Sequence, residues 1–242
     1  MIKQLKKILL RSALLFKKNN ESKILFYHDI HDLKKYSSMS TPLVLFKKHI
    51  SILKHNNFEI VKEITQNKGQ VKIQFDDGFK GIYYCLNYLV SHQIPIEIFL
   101  ISSFIGKENY LNKSQILELK KTGLVTFSSH SHSHADLSKC DEHSLKDELN
   151  TSKSLIESIT NQKIDSICYP FGKFSIKVIK QCQMLSYTRQ YSSLPGSYHD
   201  LFLNKVYRRN LVQFADEKEF YCILKGAQYI FSLRYTKIHF SK

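Results

Sequence analysis

The sequence has no tryptophan, only 4 prolines and 8 glycines in 242 residues, and 21 acidic residues against 36 lysines and arginines. Glycine and proline do not cluster, so nothing reads as a flexible linker. The five cysteines (Cys85, Cys140, Cys168, Cys182 and Cys222) are odd in number and scattered, with no Cys-x-x-Cys pair. That indicates neither a disulfide framework nor a thiolate zinc site, and points to buried thiols of a reducing compartment. No apolar run reaches the roughly 18 residues of a membrane-spanning helix. The shortage of acid gives a formal net charge of +15, which suits an anionic partner. No basic recognition helix, zinc-finger spacing or RNA-binding signature accompanies the charge, so nucleic acid is not the expected partner.

Residues 1–20 concentrate the imbalance. Lys3, Lys6, Lys7, Arg11, Lys17 and Lys18 stand among Leu5, Ile8, Leu9, Leu10, Leu14, Leu15 and Phe16, with no acid. Arg11 and Ser12 interrupt the apolar run and Lys-Lys-Asn-Asn follows Phe16, unlike a secretory signal with an unbroken core and a small-residue cleavage site. The segment reads either as a basic amphipathic helix on an anionic membrane face or as an ordinary packing helix. The first reading places the protein in the cytoplasm, peripheral to the inner face of the membrane. Residues 21–242 read as one domain. Strand-like runs at 24–27, 71–75, 96–101, 125–128, 164–169 and 206–211 alternate with helix-like runs at 42–56, 82–91, 114–121, 142–160, 176–183 and 217–225. Alternation without hairpin signals predicts an α/β fold with parallel strands, and this many units in one domain suits a barrel.

In such a fold the chemistry gathers where strands end. Three strand ends here carry unusual groups. Asp76-Asp77-Gly78 places adjacent carboxylates after an apolar strand, costly unless a cation neutralises them, though an Asp-Asp-Gly turn also caps helices. His130, His132 and His134 follow the run at 125–128. In a helical turn His130 and His134 share a face, in an extended chain all three line one side, and a solvated polar loop is the plain alternative. Tyr169-Pro170-Phe171-Gly172 ends another strand-like run, and its sharp turn can leave the Phe171 N–H without a ladder partner. Together one Asp, two His, a spare carboxylate and a free amide N–H describe metal-assisted hydrolysis of a carbonyl compound.

Gln74-Phe-Asp76-Asp77-Gly78, Ser129-His130-Ser-His-Ser-His134 and Tyr169-Pro170-Phe171-Gly172 resemble, in order and spacing, the motifs of the polysaccharide deacetylase family, the NodB-homology carbohydrate esterases. The resemblance runs from Ile24-Leu-Phe-Tyr-His28-Asp29 to Val206-Tyr-Arg208-Arg-Asn-Leu211, about four-fifths of the chain, and its flanks look most like the poly-N-acetylglucosamine deacetylases. It implies a deformed (β/α) barrel and a hydrolase that removes N-acetyl groups from an amino sugar in a polysaccharide, oligosaccharide or lipid-linked precursor. It also implies Asp77, His130 and His134 as ligands of a divalent metal, zinc first among them, Asp76 as general base and the Phe171 amide as oxyanion donor. His132 falls at a variable position. Two features depart from the family. Cys168 and Tyr169 stand where several members have an arginine that holds the base, and no Leu-x-x-His motif for the general acid is found. Arg208 is the candidate replacement for the first, and His28 or His199 for the second. The departures leave a second expectation, a noncatalytic relative that binds glycan.

Overall fold

Strands that are buried on both faces read as unbroken apolar runs, and the computed structural model of the protein buries every residue of the strands Lys23–Tyr27, Gln70–Phe75, Ile96–Leu100 and Ser166–Cys168 in its central sheet. It describes residues 2–16 and 18–241. Among them, nine strands form one parallel sheet: β1 (Lys23–Tyr27), β2 (Glu59–Ile60), β3 (Gln70–Phe75), β4 (Ile96–Leu100), β5 (Val125–Ser129), β6 (Ser166–Cys168), β7 (Arg189–Tyr191), β8 (Val206–Tyr207) and β9 (Asn210–Leu211). The spatial order is β8-β7-β6-β5-β4-β3-β1-β9, with β2 beside β3. The stretch 206–211, expected as one strand, is two short ones. β8 pairs with β7 at one end of the sheet and β9 with β1 at the other, so a single stretch of chain bridges the two edges. The result is the deformed (β/α) barrel expected from the sequence, in one domain.

Strand alternation sorts the side chains. Leu25, Tyr27, Val71, Ile73 and Phe75 join the layer packed under the helices, whereas Ile24, Phe99, Cys168 and Tyr191 form a separate inner cluster. The inner face also buries polar groups that satisfy one another: Lys72 pairs with Glu97 at 3.0 Å, and Gln74 donates to Glu97 at 2.8 Å. β7 was not expected, because Arg-Gln-Tyr has no apolar run. It is a strand because β6 and β8 pair with it on both sides.

The helices fall close to the expected positions: α2 (Leu43–His55), α3 (Gly81–Tyr84), α4 (Leu86–Ser91), α5 (Lys113–Lys121), α6 (Glu142–Thr160), α7 (Ile176–Met184) and α8 (Glu217–Leu224), after α1 (Ile2–Phe16). The run 82–91 is two helices separated at Cys85. Side chains of Asn112, Asp141, Ser175 and Asp216 cap α5, α6, α7 and α8, each satisfying an otherwise unpaired N–H. A 3₁₀ turn at Ala227–Phe231 leads into α9 (Ser232–His239), which the sequence reading missed.

α1 lies on the body of the protein against α8 and the 3₁₀ turn. Leu10 and Ala13 are buried there, and Lys7 pairs with Asp216 at 2.5 Å. Of the basic residues read in this segment, Lys17 and the side chains of Lys3 and Lys6 lie outside the described residues. No helix among the described residues is long and apolar enough to cross a membrane. The five cysteines are free, and all but Cys140 are buried.

Candidate active site

The three strand ends singled out in the sequence meet at one end of the barrel. Asp76 follows β3 directly, and its amide donates to the Tyr27 carbonyl at 3.0 Å. Asp77 then turns into the left-handed region at φ 72°, which swings its carboxylate away from that of Asp76. Gly78, at φ 79°, continues the turn, and a Cβ there would meet Leu100 Cδ2 at 2.6 Å. On the neighbouring side Ser131 and His134 also adopt positive φ, 65° and 66°. Glu148 of α6 holds this loop by accepting from the His132 and Ser133 amides at 2.9 Å, and Ser131 Oγ accepts from the His134 amide at 3.0 Å. Left-handed backbone at non-glycine residues is unfavourable and is retained where the surroundings enforce it, commonly at functional sites.

The loop brings His130 and His134 together but not His132. Nε2 of His130 and Nε2 of His134 lie 3.4 and 3.5 Å from Asp77 Oδ1. His132 points elsewhere, its Nδ1 2.9 Å from Ser102 Oγ. His130 Nδ1 donates to the Cys168 carbonyl at 2.7 Å. That bond sets the tautomer and leaves the Nε2 lone pair directed at Asp77, the arrangement of a metal-ligating imidazole. Asp77 Oδ1 is buried without a hydrogen-bond donor. Two imidazole nitrogens and one orphaned carboxylate oxygen, all within 4.8 Å of one another, fit a divalent cation with nitrogen and oxygen preferences. Electrostatics agree. Burial opposes charge on His130, but Cys168, Asp77 and Asp76 outweigh it and raise its pKa well above the usual range. Burial and the adjacent His130 bring His134 down to about 4. The surrounding carboxylates thus favour positive charge at this point, which a bound cation would supply.

Asp76 is not part of that trio. Arg209, 1% exposed, grips it with both ends of its fork: Nη1 to Oδ1 at 2.7 Å and Nη2 to Oδ2 at 2.8 Å. Arg209 in turn donates through Nε to the Ser192 carbonyl at 2.9 Å, and its Nη2 lies 2.8 Å from Cys168 Sγ. The Phe26 ring lies under the guanidinium at 4.2 Å. Burial would raise the Asp76 pKa, but Arg209 overwhelms it and holds the carboxyl well below the usual carboxylate range. This corrects the choice of Arg208. That side chain turns the other way, pairs with Asp200 at 3.0 Å and reaches Ser232 Oγ at 3.2 Å. Adjacent residues of an extended chain point to opposite faces, so the neighbour of the chosen arginine is the one inside the barrel.

Phe171 sits at φ 58°, ψ 8° in the turn after β6. Its ring lies 4.5 Å from that of His134 and is otherwise exposed. Gly172, at φ 67°, permits a close approach: a Cβ would meet Ser193 Oγ at 2.5 Å and His239 Nδ1 at 3.1 Å. His239 of α9 thereby reaches the site. It lines the cleft of about 420 Å³ with Tyr235, Met39, His28, Tyr169 and the metal-ligand candidates. Burial lowers the His239 pKa, and its Nδ1 is without a hydrogen-bond partner. His28, just after β1, bonds through Nδ1 to Gln213 Oε1 at 2.6 Å and lines the cleft together with Asp76 and Asp77. His199 is exposed and bonds to the Gln66 carbonyl at 3.3 Å, outside the cleft. Arg209 and His239 are what sequence reasoning missed. The first was hidden beside an identical residue, and the second lacks the leucine three positions before it, where Thr236 stands.

A family model described as polysaccharide deacetylase matches residues 63–189, slightly more than half of the chain. The poly-beta-1,6-N-acetyl-D-glucosamine N-deacetylase of Staphylococcus aureus is 25% identical over 210 residues, covering 76% of this chain and 71% of its own. Among solved structures, a polysaccharide deacetylase from Bacillus cereus has a TM-score of 0.74 at 22% identity, over 86% of this chain and 70% of that one. A Streptococcus pyogenes deacetylase in complex with acetate has a TM-score of 0.71 at 20% identity, over 83% of this chain and 96% of that one.

Proposed function

Because the chain belongs to the polysaccharide deacetylase family, we propose that it is a metal-dependent hydrolase that removes N-acetyl groups from an N-acetylated amino sugar. The substrate class follows the Staphylococcus aureus relative, whose name specifies a polymer of β-1,6-linked N-acetylglucosamine. The observation that carries this reading is the pairing of two unlike carboxylates: Asp77 left open between two imidazoles, and Asp76 closed by Arg209.

Asp77, His130 and His134 would hold the metal, with zinc the first choice for this donor set. A divalent cation there supplies Lewis acidity, polarising the amide carbonyl and making water a stronger acid. Asp76 takes a proton from the attacking water. Arg209 keeps that carboxylate ionised and fixed in orientation, so no reorganisation is needed when the proton arrives. The Phe171 N–H donates to the carbonyl oxygen as negative charge builds on it. The C–N bond of the acetamide then breaks, releasing acetate, and the departing nitrogen must gain a proton. His28 and His239 both line the cleft. We assign the proton to His28, whose ring neighbours the Asp76–Asp77 pair. His239 closes the cleft beside the Phe171 turn.

Acetate release from a panel of N-acetylated oligosaccharides and polymers tests the reading, with chelator and with metal restored. Release that chelator abolishes and zinc restores is the expected result. Binding of the same glycans without acetate under any metal condition would leave a glycan-binding protein instead.

A further inference from the structure

α1 carries apolar residues on two opposite sides. Leu10 and Ala13 pack on the body, while Leu5, Ile8, Leu9 and Leu15 are exposed, Ile8 at 59% and Leu15 at 84%. At about 100° per residue, Leu5, Ile8, Ser12 and Leu15 form one outward stripe. The turn at Ala227–Phe231 packs along α1 and runs directly into α9. It leaves Ile230 exposed, and α9 leaves Leu233, at 81%, and Ile238. One exposed leucine needs no explanation. Several of them, on two helices that both pack on the same turn, are what a contact surface offers.

Charge identifies what that surface meets. Residues 1–20 and 220–242 contain no Asp or Glu, and α1 and the turn at Ala227–Phe231, which pack together, lie within them. Exposed Arg11, Lys18, Arg234 and Lys237 accompany the apolar row. The nearest acids at the start of α8, Asp216 and Glu217, are already paired with Lys7 and Lys48. A second copy of the chain would set one cationic surface against another, and like charges repel. An apolar stripe with cations and no acid is the pattern of a helix lying at an anionic lipid surface. We propose that α1 and α9 together dock the protein on an anionic phospholipid bilayer, with Leu5, Ile8, Leu15 and Leu233 entering the acyl boundary. α1 is held to the body as it does so, through Leu10, Ala13 and the Lys7–Asp216 pair, and is a rigid facet, not a tethered anchor. α9 also carries Tyr235 and His239 into the cleft, so one of the docking helices borders the site. This last consequence, that the enzyme meets its glycan at a membrane, rests on the deacetylase reading. The docking itself does not.

The test is sedimentation of the full chain with vesicles of phosphatidylcholine alone and with added phosphatidylglycerol. Binding to the anionic vesicles and little to the neutral ones is expected. In Ile8→Ser/Leu233→Ser the vesicle partition coefficient should fall at least about tenfold per side chain, the scale of losing one buried aliphatic group. The melting temperature should stay unchanged, because both side chains are largely outside the core. Arg11→Glu/Arg234→Glu should weaken binding chiefly at low salt. Equal binding to both vesicle types, no binding to anionic vesicles, or undiminished binding by the serine variant would overturn the proposal. So would a concentration-dependent dimer that the serine variant dissolves, since the surface would then belong to a second copy. Acetate release from a soluble oligosaccharide is read separately and reports only on the deacetylase reading.

Discussion

Replacing Arg209 by methionine should reverse the sign of the contribution that Asp76 makes to stability at neutral pH. In the native structure the guanidinium meets both oxygens of Asp76 at 2.7 and 2.8 Å, with Arg209 1% and Asp76 3% exposed. Burial alone would raise the carboxyl, Arg209 outweighs it, and the folded pKa is lowered. A lowered carboxyl contributes stability that is present above its unfolded pKa, about 3.9, and is lost as the pH falls through the folded value. Methionine leaves the carboxylate dry and without its cation, so burial dominates and the folded pKa rises above the unfolded one. The sign then inverts: the Asp76 contribution becomes unfavourable at pH 7 and improves as the pH falls and the acid becomes neutral. Breaking one side of a buried pair costs ~3–5 kcal/mol. For a domain of this size that is a fall of about 6–20 °C in melting temperature at pH 7. Thermal melts of chelator-treated protein at pH 5 and pH 7 make the measurement, with no bound cation to substitute for the guanidinium. Asp76→Asn/Arg209→Met needs no cation and should recover at least half of the loss. Arg209→Lys, which keeps the charge but not the fork, should fall between. A loss below ~1 kcal/mol at pH 7, against the ~3–5 expected of a buried pair, would refute the reasoning. So would a deficit relative to the parent protein that is no smaller at pH 5 than at pH 7.

The metal set makes a second prediction: His130→Ala and His134→Ala should lose bound metal by elemental analysis, while His132→Ala, whose ring is engaged by Ser102, should keep it. The neighbouring carboxylates should separate in the same assay. Asp77→Asn should lose metal affinity, whereas Asp76→Asn should keep the metal and lose about 10²–10⁴-fold in kcat. If Asp76→Asn is the variant that loses metal, the two roles are reversed. His28→Gln should lose rate on a similar scale, and His239→Gln should stay within about tenfold of the parent, because only the former is assigned the departing proton. The opposite result would move the general acid to α9. Phe171→Ala keeps the backbone N–H and removes only an exposed ring, so kcat should change far less than the ~2.7–4 kcal/mol that loss of an oxyanion donor costs.

The local part of the site was legible because each motif is a strand end, where a short stretch of chain fixes both its direction and its chemistry. Asp76 and Asp77 leave β3, the histidine loop leaves β5 and the Phe171 turn leaves β6, all at the same end of parallel strands. Alternating apolar runs and helical segments likewise determined the barrel. What the chain could not declare by itself was which way distant groups turn. Arg208 and Arg209 are chemically identical, and only the pairing of β8 and β9 to opposite edges of the sheet decides that Arg209 enters the barrel and Arg208 faces Asp200. His239 reaches the cleft because the absent side chain at Gly172 lets α9 close in, a contact between residues that carry no shared pattern. The first helix shows the same division. Its composition announced an amphipathic segment, but the sequence alone did not say which side the body would claim. Packing against α8 took Leu10, Ala13 and Lys7 inward and left Leu5, Ile8 and Leu15 outside. Local sequence sets periodicity and turn chemistry, whereas the choice among equivalent side chains depends on long-range pairing, which exists only once the chain has closed on itself.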